Sequence, residues 1–322
     1  MSSSNVGGMD VLSDLLHRAR AGDALVRQLV QRPPWALTFA DAAALTVVAT
    51  LGGCAAVRLD EAGAAPVQLA AGDIALITEV GEYTIADDPS TPSQVVIRQG
   101  RKYRVGSGDP FEGGEWNLAP RTYGDGLPGA TVMLRGAYEL HGDVGGRILE
   151  MLPPVAVVPA GPRTRGALDL LAAEVGRDEP GQDAVLHRLL DLVLVLALRA
   201  WCARPEAELP SWYRALGDPA VGEALRLLHE DPARRWTIAA LAAEVGMSRA
   251  AFAARFTGLV GEPPLTYLTG WRMTLAADLL RDTDATIAAV GRDVGYADAF
   301  AFSVAFKRAR GVSPSRWRRG TG

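Results

Sequence analysis

The chain has 322 residues, 48% apolar and 22% charged, with a formal net charge of −4, which suffices for two ordinary globular cores and excludes a uniformly basic nucleic-acid coat. Its two cysteines, Cys54 and Cys202, exclude a disulfide framework. The most apolar run, Leu189 to Leu198, is interrupted by Asp191 and falls short of the roughly 20 residues that a membrane span needs.

Taken in order, the opening Met-Ser-Ser-Ser-Asn does not read as a secretory signal, so a cytoplasmic protein is expected. A short helical pattern follows in Val11, Leu12, Leu15 and Leu16, ended by Arg32-Pro33-Pro34. From Trp35 the period shortens. Leu45, Val47 and Ala49 alternate, and strands are predicted at 57–59, 67–69, 74–77, 95–97 and 132–134. Turn signals separate them at Gly52-Gly53, Ala62-Gly63, 71–73, Asp88-Pro89 and Gly113-Gly114; Gly124-Asp-Gly126 and Gly145-Gly146 read as further turns. The pattern predicts a small antiparallel barrel or sandwich. A short helix is expected at 168–175. A long amphipathic helix over 183–202 carries Leu186, Leu190, Val193, Leu194 and Ala197 on a broad apolar face. That face reads as a dimerisation surface, with packing onto the sheet as the alternative. Pro205 to Pro210 is a linker, and Trp212 to His229 begins a helical domain.

The last third contains one pattern twice. Thr237-Ile-Ala-Ala-Leu-Ala-Ala-Glu-Val-Gly246 recurs 49 residues later as Thr286-Ile-Ala-Ala-Val-Gly-Arg-Asp-Val-Gly295, with six of ten positions identical. Each copy predicts a helix-turn-helix: an apolar face, a glycine that enters the turn at least cost, a capping Ser248 or Asp298, and a second helix burying two phenylalanines one turn apart. These are Phe252 and Phe256, then Phe302 and Phe306. A connecting helix from Pro264 to Leu280 packs on both copies through Leu265, Leu268, Met273, Leu275 and Leu279. Charge follows the repeat: residues 231–322 carry 13 Lys+Arg against 8 Asp+Glu, and residues 1–230 carry 20 against 29. The basic end is where phosphate contacts are expected.

The region from Asp218 to Arg318 resembles the DNA-binding domain of the AraC/XylS family of transcription regulators, most closely at Val294-Gly295-Tyr296, Phe302, Phe306-Lys307-Arg308 and 311–318. Residues 9 to 160 resemble the cupin-type sensing domain that precedes it in many members, through 71–76, 121–124, 136–138 and 152–154. The chain departs from that pattern at Tyr83, which aligns with a common histidine. The four histidines, His17, His141, His187 and His229, are scattered, so no metal is expected. Glu82 and Tyr83 read as a strand end, solvated or at a pocket mouth. Cys54 reads as a buried inert thiol in a strand, with redox sensing as the alternative.

The expected architecture is therefore α+β and multidomain: a cupin-like antiparallel β-barrel over 1–160, a helical dimerisation segment over 161–212, and an all-α double helix-turn-helix domain over 213–322. The expected function is a sequence-specific, effector-responsive transcription regulator, an activator without catalytic residues or cofactor; a cupin-type enzyme and an effector-independent DNA-binding protein are the alternatives. Its expected partners are double-stranded DNA, RNA polymerase, a small-molecule effector and a second copy of the chain, with no membrane. Two helix-turn-helix units on one connector can enter successive major grooves. The expected DNA-facing residues are Ser248, Arg249, Ala250, Ala253, Ala254, Arg255 and Thr257, then Phe300, Ser303, Val304, Lys307, Arg308 and Arg316. Family members often place arginine where this chain has Ala254 and Val304, so bidentate guanine readout is expected to be thin here. Thymine-methyl contacts, phosphate clamping by Arg255, Lys307, Arg308 and Arg316, and DNA shape are expected to carry the rest.

Overall fold

The computed structural model describes residues 10–19, 25–60, 64–78, 81–111, 114, 116–140 and 142–320. In chain order these form α1 (Val11–Arg18), β1 (Leu25–Gln31), β2 (Ala36–Phe39), β3 (Leu45–Gly52), β4 (Ala55–Leu59), β5 (Val67–Leu69) and β6 (Ile74–Thr78). Next come β7 (Tyr83–Ala86), β8 (Val95–Arg98), β9 (Arg101–Arg104), β10 (Asn117–Ala119), β11 (Thr122–Gly124), β12 (Thr131–Tyr138), α2 (Gly142–Leu149) and β13 (Val155–Val158). The rest are helices: α3 (Pro162–Val175), α4 (Gln182–Cys202), α5 (Ser211–Ala215), α6 (Pro219–Glu230), α7 (Ile238–Glu244) and α8 (Arg249–Val260). The last four are α9 (Pro264–Asp282), α10 (Ile287–Asp293), α11 (Ala299–Arg310) and α12 (Pro314–Arg318).

Two units divide these elements. The sheet unit, residues 21–140 and 152–208, holds a seven-stranded sheet in the order β10-β11-β1-β12-β3-β6-β13 and a six-stranded sheet in the order β5-β4-β7-β2-β8-β9. Neither sheet closes on itself, and the pairs β1–β11 and β2–β8 are parallel. The expected antiparallel barrel is thus two open, mixed sheets around one core, in which Leu29, Val48 and Met133 of the first meet Leu37, Phe39, Val57 and Ile85 of the second. The edges resist further pairing for a visible reason. β10 and β5 have only three residues each, and the outer side of β9 is covered by the chain at 109–111, where Phe111 N donates to the Lys102 carbonyl (3.0 Å) and Arg104 N to the Asp109 carbonyl (2.9 Å).

α4 corrects the expected dimerisation face. Leu186, Leu190, Val193, Leu194 and Ala197 are each at most 2% exposed, because α4 lies on β1, β13 and α3 of its own chain. Gly136 on β12 leaves the space that Leu190 fills. Asp191, the charge that interrupts the apolar run, accepts a hydrogen bond from the Tyr138 hydroxyl (3.3 Å), and burial pushes its carboxyl up. The side of α4 that faces solvent carries Val185 and Leu192.

The helical unit gathers residues within 1–20, 141–151 and 209–322. The sequence division placed the first two segments with the strands. Here α1 buries Val11, Leu12 and Leu15 and packs on α2 and α6, while α2 packs on α9. Gly145 and Gly146, expected in a turn, lie inside α2. Asp278 of α9 fixes that helix: its carboxylate accepts from the backbone N–H groups of Asp143 (2.7 Å) and Val144 (3.1 Å), as an N-terminal cap does.

Candidate nucleic-acid interface

The repeat becomes two matched helix pairs. α7 and α8 are joined by residues 245–248, and α10 and α11 by residues 294–298, one residue more. Thr237 and Thr286 cap the first helix of each pair, accepting from Ala240 N (3.0 Å) and Ala289 N (3.2 Å). Ser248 and Asp298 cap the second, accepting from Ala251 N (3.3 Å) and Ala301 N (2.9 Å). Both turn glycines have positive φ, 67° at Gly246 and 87° at Gly295, the region open to glycine at least cost. They differ in their surroundings. A Cβ at Gly246 meets open space, whereas one at Gly295 would stand 2.6 Å from the Ala233 carbonyl oxygen and 2.7 Å from an Arg272 nitrogen.

Inside each pair the two phenylalanines do equal work. Phe252 and Phe256 are fully buried with centroids 5.7 Å apart, and Phe302 and Phe306 likewise at 5.8 Å. α9 seats both pairs and α12. Its core side is bulkier than expected, adding Tyr267 and Trp271, while Leu265 is exposed. The Trp317 indole of α12 donates to the Ala277 carbonyl (3.1 Å), and Arg318 donates to the Leu280 carbonyl (3.2 Å), so Arg318 serves the fold.

With the phenylalanines inward, Arg249, Ala250, Ala254 and Arg255 of α8 are exposed, and Ala253 and Thr257 half-buried. On α11, Phe300 is 76% and Val304 54% exposed, Lys307 and Arg308 are exposed, and Ser303 is half-buried with its hydroxyl donating to the Ala299 carbonyl (2.8 Å). Arg316 is exposed on α12. Arg255 is engaged within the domain. Its Nε donates to Asp218 at 2.9 Å and a second guanidinium nitrogen closes on the same oxygen. Asp218 also caps α6 by accepting from Val221 N (3.0 Å). The Arg255 hydrogen bond, aided by that backbone N–H, holds the Asp218 carboxyl down at about 2.

Residues 10–203 match the family described as Cupin, and residues 241–320 match one described as Helix-turn-helix domain. An AraC-like transcription regulator from Streptomyces lividans is 33% identical over 315 residues, 97% of this chain and 98% of the relative. The chain belongs to the AraC-like transcription regulators. A second such regulator, from Streptomyces antibioticus, is 33% identical over 97% of this chain and 99% of its own length. The HTH-type transcriptional regulator AlkR of Acinetobacter baylyi is 33% identical over 59% of this chain and 63% of its own. This AraC-like chain is accordingly a DNA-binding transcription regulator, with a cupin-like unit joined to a helix-turn-helix domain.

Other sequence expectations for this AraC-like regulator meet different surroundings. Cys54 is exposed between β3 and β4, where a tight connection turns it outward. Tyr83 opens β7 but is buried, stacked on Phe39 at 5.0 Å, its hydroxyl accepting from Arg135 Nε (2.8 Å). Of the histidines, His17 lies on α1, His187 on α4 and His229 on α6, and His141 lies outside the described residues. No helix among the described residues is long and apolar enough to cross a membrane. Sequence reasoning missed a cavity between the two sheets, lined by Arg27, Lys102 and Arg135. Its signal was present: Arg135 interrupts the apolar run from Val132 to Leu134, and Arg27 sits between Val26 and Leu29.

Proposed function

We propose that the two helix pairs work as a double helix-turn-helix, α8 and α11 each entering one of two successive major grooves. The carrying observation is the outward face of α11, where Phe300 is 76% exposed beside Val304, Lys307 and Arg308. A large aromatic held in water on a well-packed helix marks a contact surface, and cations beside it suit phosphate. Phe300, Val304, Ala250 and Ala254 meet thymine methyls, Arg249 and Ser248 lie at the opening of α8, and Ala253, Thr257 and Ser303 flank the groove. Lys307, Arg308 and Arg316 hold phosphate; Arg255 does so only by sharing its guanidinium with Asp218. The sheet unit holds a small-molecule effector that sets DNA affinity. The regulator acts in the cytoplasm as a homodimer and activator with RNA polymerase, without a catalytic step. Exposed Leu170, Val185 and Leu192 on α3 and α4 support a pairing surface other than the covered face of α4.

The test is selection of bound duplexes from a random pool by the full chain, followed by titration at two salt concentrations. Two half-sites one helical turn apart are expected. Phe300→Ala should erase preference at one or two thymine positions. Lys307→Ala should weaken all sequences about equally and reduce the salt slope by about one. A pool without preferred sequence, or a base-selective loss at Lys307→Ala, would overturn this reading of the face.

A further inference from the structure

The cavity of the sheet unit concentrates positive charge where nothing described neutralises it. Arg27 on β1 and Arg135 on β12 are direct cross-strand partners, and Lys102, from β9 of the other sheet, lines the same space. Like charges directly opposite on paired strands destabilise a sheet. Among the described residues none of the three forms an ion pair with a carboxylate. Arg27 donates to the neighbouring Val26 carbonyl (2.8 Å). Arg135 donates to the Tyr83 hydroxyl and lies 4.3 Å from the Phe39 ring centroid. The Lys102 ammonium lies 3.3 Å from the Tyr123 ring centroid and 5.7 Å from that of Trp116. Ring faces are weak counter-charges. Burial, and then the charge of Arg27, pull the Lys102 ammonium down to about 8.

Apart from Gln28, the other walls are mainly apolar, with Leu29, Leu37, Ile97 and Met133 among them, and the volume is about 180 Å³, below the ~300 Å³ at which drug-sized sites begin. A neutral ligand would leave three partly desolvated cations without a counter-charge, and a simple inorganic anion would leave the apolar walls wet. We propose that this cavity binds a small organic carboxylate, its oxygens bridging Arg27, Lys102 and Arg135 and its apolar body lying against Leu29, Leu37, Ile97 and Met133. This inference rests on the effector reading above and names the chemistry of that effector.

The experiment is calorimetric titration of the full chain with phenylacetate and hexanoate, each against its uncharged amide. The acids should bind about ten- to a hundredfold more tightly than the amides, the worth of a charge-assisted hydrogen bond. Arg27→Gln and Arg135→Gln should abolish that preference. Arg27→Gln should also raise the melting temperature of the ligand-free protein, because it removes a repulsion, and this separates lost binding from lost folding. Equal binding of acid and amide, no binding of either acid at millimolar concentration, or a preference that survives both substitutions would overturn the inference. The duplex chosen by selection separates the two readings. Acids that bind without altering duplex affinity leave the carboxylate site standing and remove the effector reading. Duplex affinity that responds only to neutral compounds removes the carboxylate site and leaves the effector reading.

Discussion

His229 shows how much one side chain of the helical unit is asked to hold. It is 2% exposed, its ring stacks on Trp271 at 4.3 Å, Nδ1 lies 3.3 Å from Asp14 Oδ2, and Nε2 lies 2.8 Å from the Tyr267 hydroxyl. A neutral ring satisfies both contacts if Nδ1–H donates to the carboxylate and the tyrosine donates to Nε2. Burial pushes His229 below its ordinary 6.5, against the opposing pull of Asp14. At Asp14 burial pushes up, but the hydrogen bonds from His229 and Arg18 prevail and hold the carboxyl below its ordinary 3.8. The signs follow. The unfolded chain takes up a proton at His229 that the folded one refuses, so this contribution is complete above about pH 6.5 and is lost as pH falls toward the depressed folded value; the Asp14 contribution is lost only at more acid pH. Urea unfolding of the full chain from pH 8 to pH 5 should show stability declining below about 6.5, by no more than about 1.4 kcal/mol per pH unit for one proton. His229→Gln should flatten that decline and lower stability at neutral pH. An unchanged slope in His229→Gln would place the titration elsewhere.

At the scale of the element, α4 shows what an apolar face does not specify. Helical spacing identifies Leu186, Leu190, Val193, Leu194 and Ala197 as one surface, and the spacing is identical whether a second copy or the chain's own sheet covers it. The chain's own sheet covers it because β12 offers Gly136, where a Cβ would come within 2.6 Å of the Leu190 methyl carbons. Leu190→Ala should therefore cost about 2 to 5 kcal/mol of stability rather than change oligomeric state. Gly136→Ala should also destabilise, and the double variant should recover part of the loss, since the smaller side chain vacates the space that the new methyl needs. Denaturant melts and sedimentation of the three variants would check this. A folded monomer from Leu190→Ala with unchanged stability would restore the interface reading.

For the whole molecule, the helical unit is assembled from segments far apart in sequence. Leu15 of α1 is fully buried, in a helix that packs on α6 and α2, and Asp14 beside it reaches His229. Arg310 at the end of α11 pairs with Asp143 of α2 at 2.5 Å. Leu15→Ala should lower the stability of this unit by about 2 to 5 kcal/mol and weaken DNA binding, although it lies more than 200 residues before the first helix pair. Hydrogen exchange in α6 and α9, with duplex titrations, would measure it. Unchanged protection of α6 would mean that α1 adds nothing to the unit.

The two helix pairs were legible in the sequence because their determinants are local and printed twice: a capping threonine, a glycine turn, and two phenylalanines one turn apart. The strands at 45–49, 57–59, 67–69, 74–77, 95–97 and 132–134 were legible for the same reason, since each carries its own short apolar pattern, alternating in the first three and continuous in the last three. β1 was not, because Arg27 and Gln28 interrupt its pattern, and charge of that kind reads as surface until the strands opposite are known. Whether the strands close a barrel, which partner covers α4, and that α1 and α2 belong with the DNA-binding helices are all questions of long-range pairing. So is the meeting of Arg27, Lys102 and Arg135 in one cavity. A residue's own neighbours in sequence fix its helix or strand and the face it occupies; what that face meets is set by groups tens to hundreds of residues away, whose contacts form only when the chain folds.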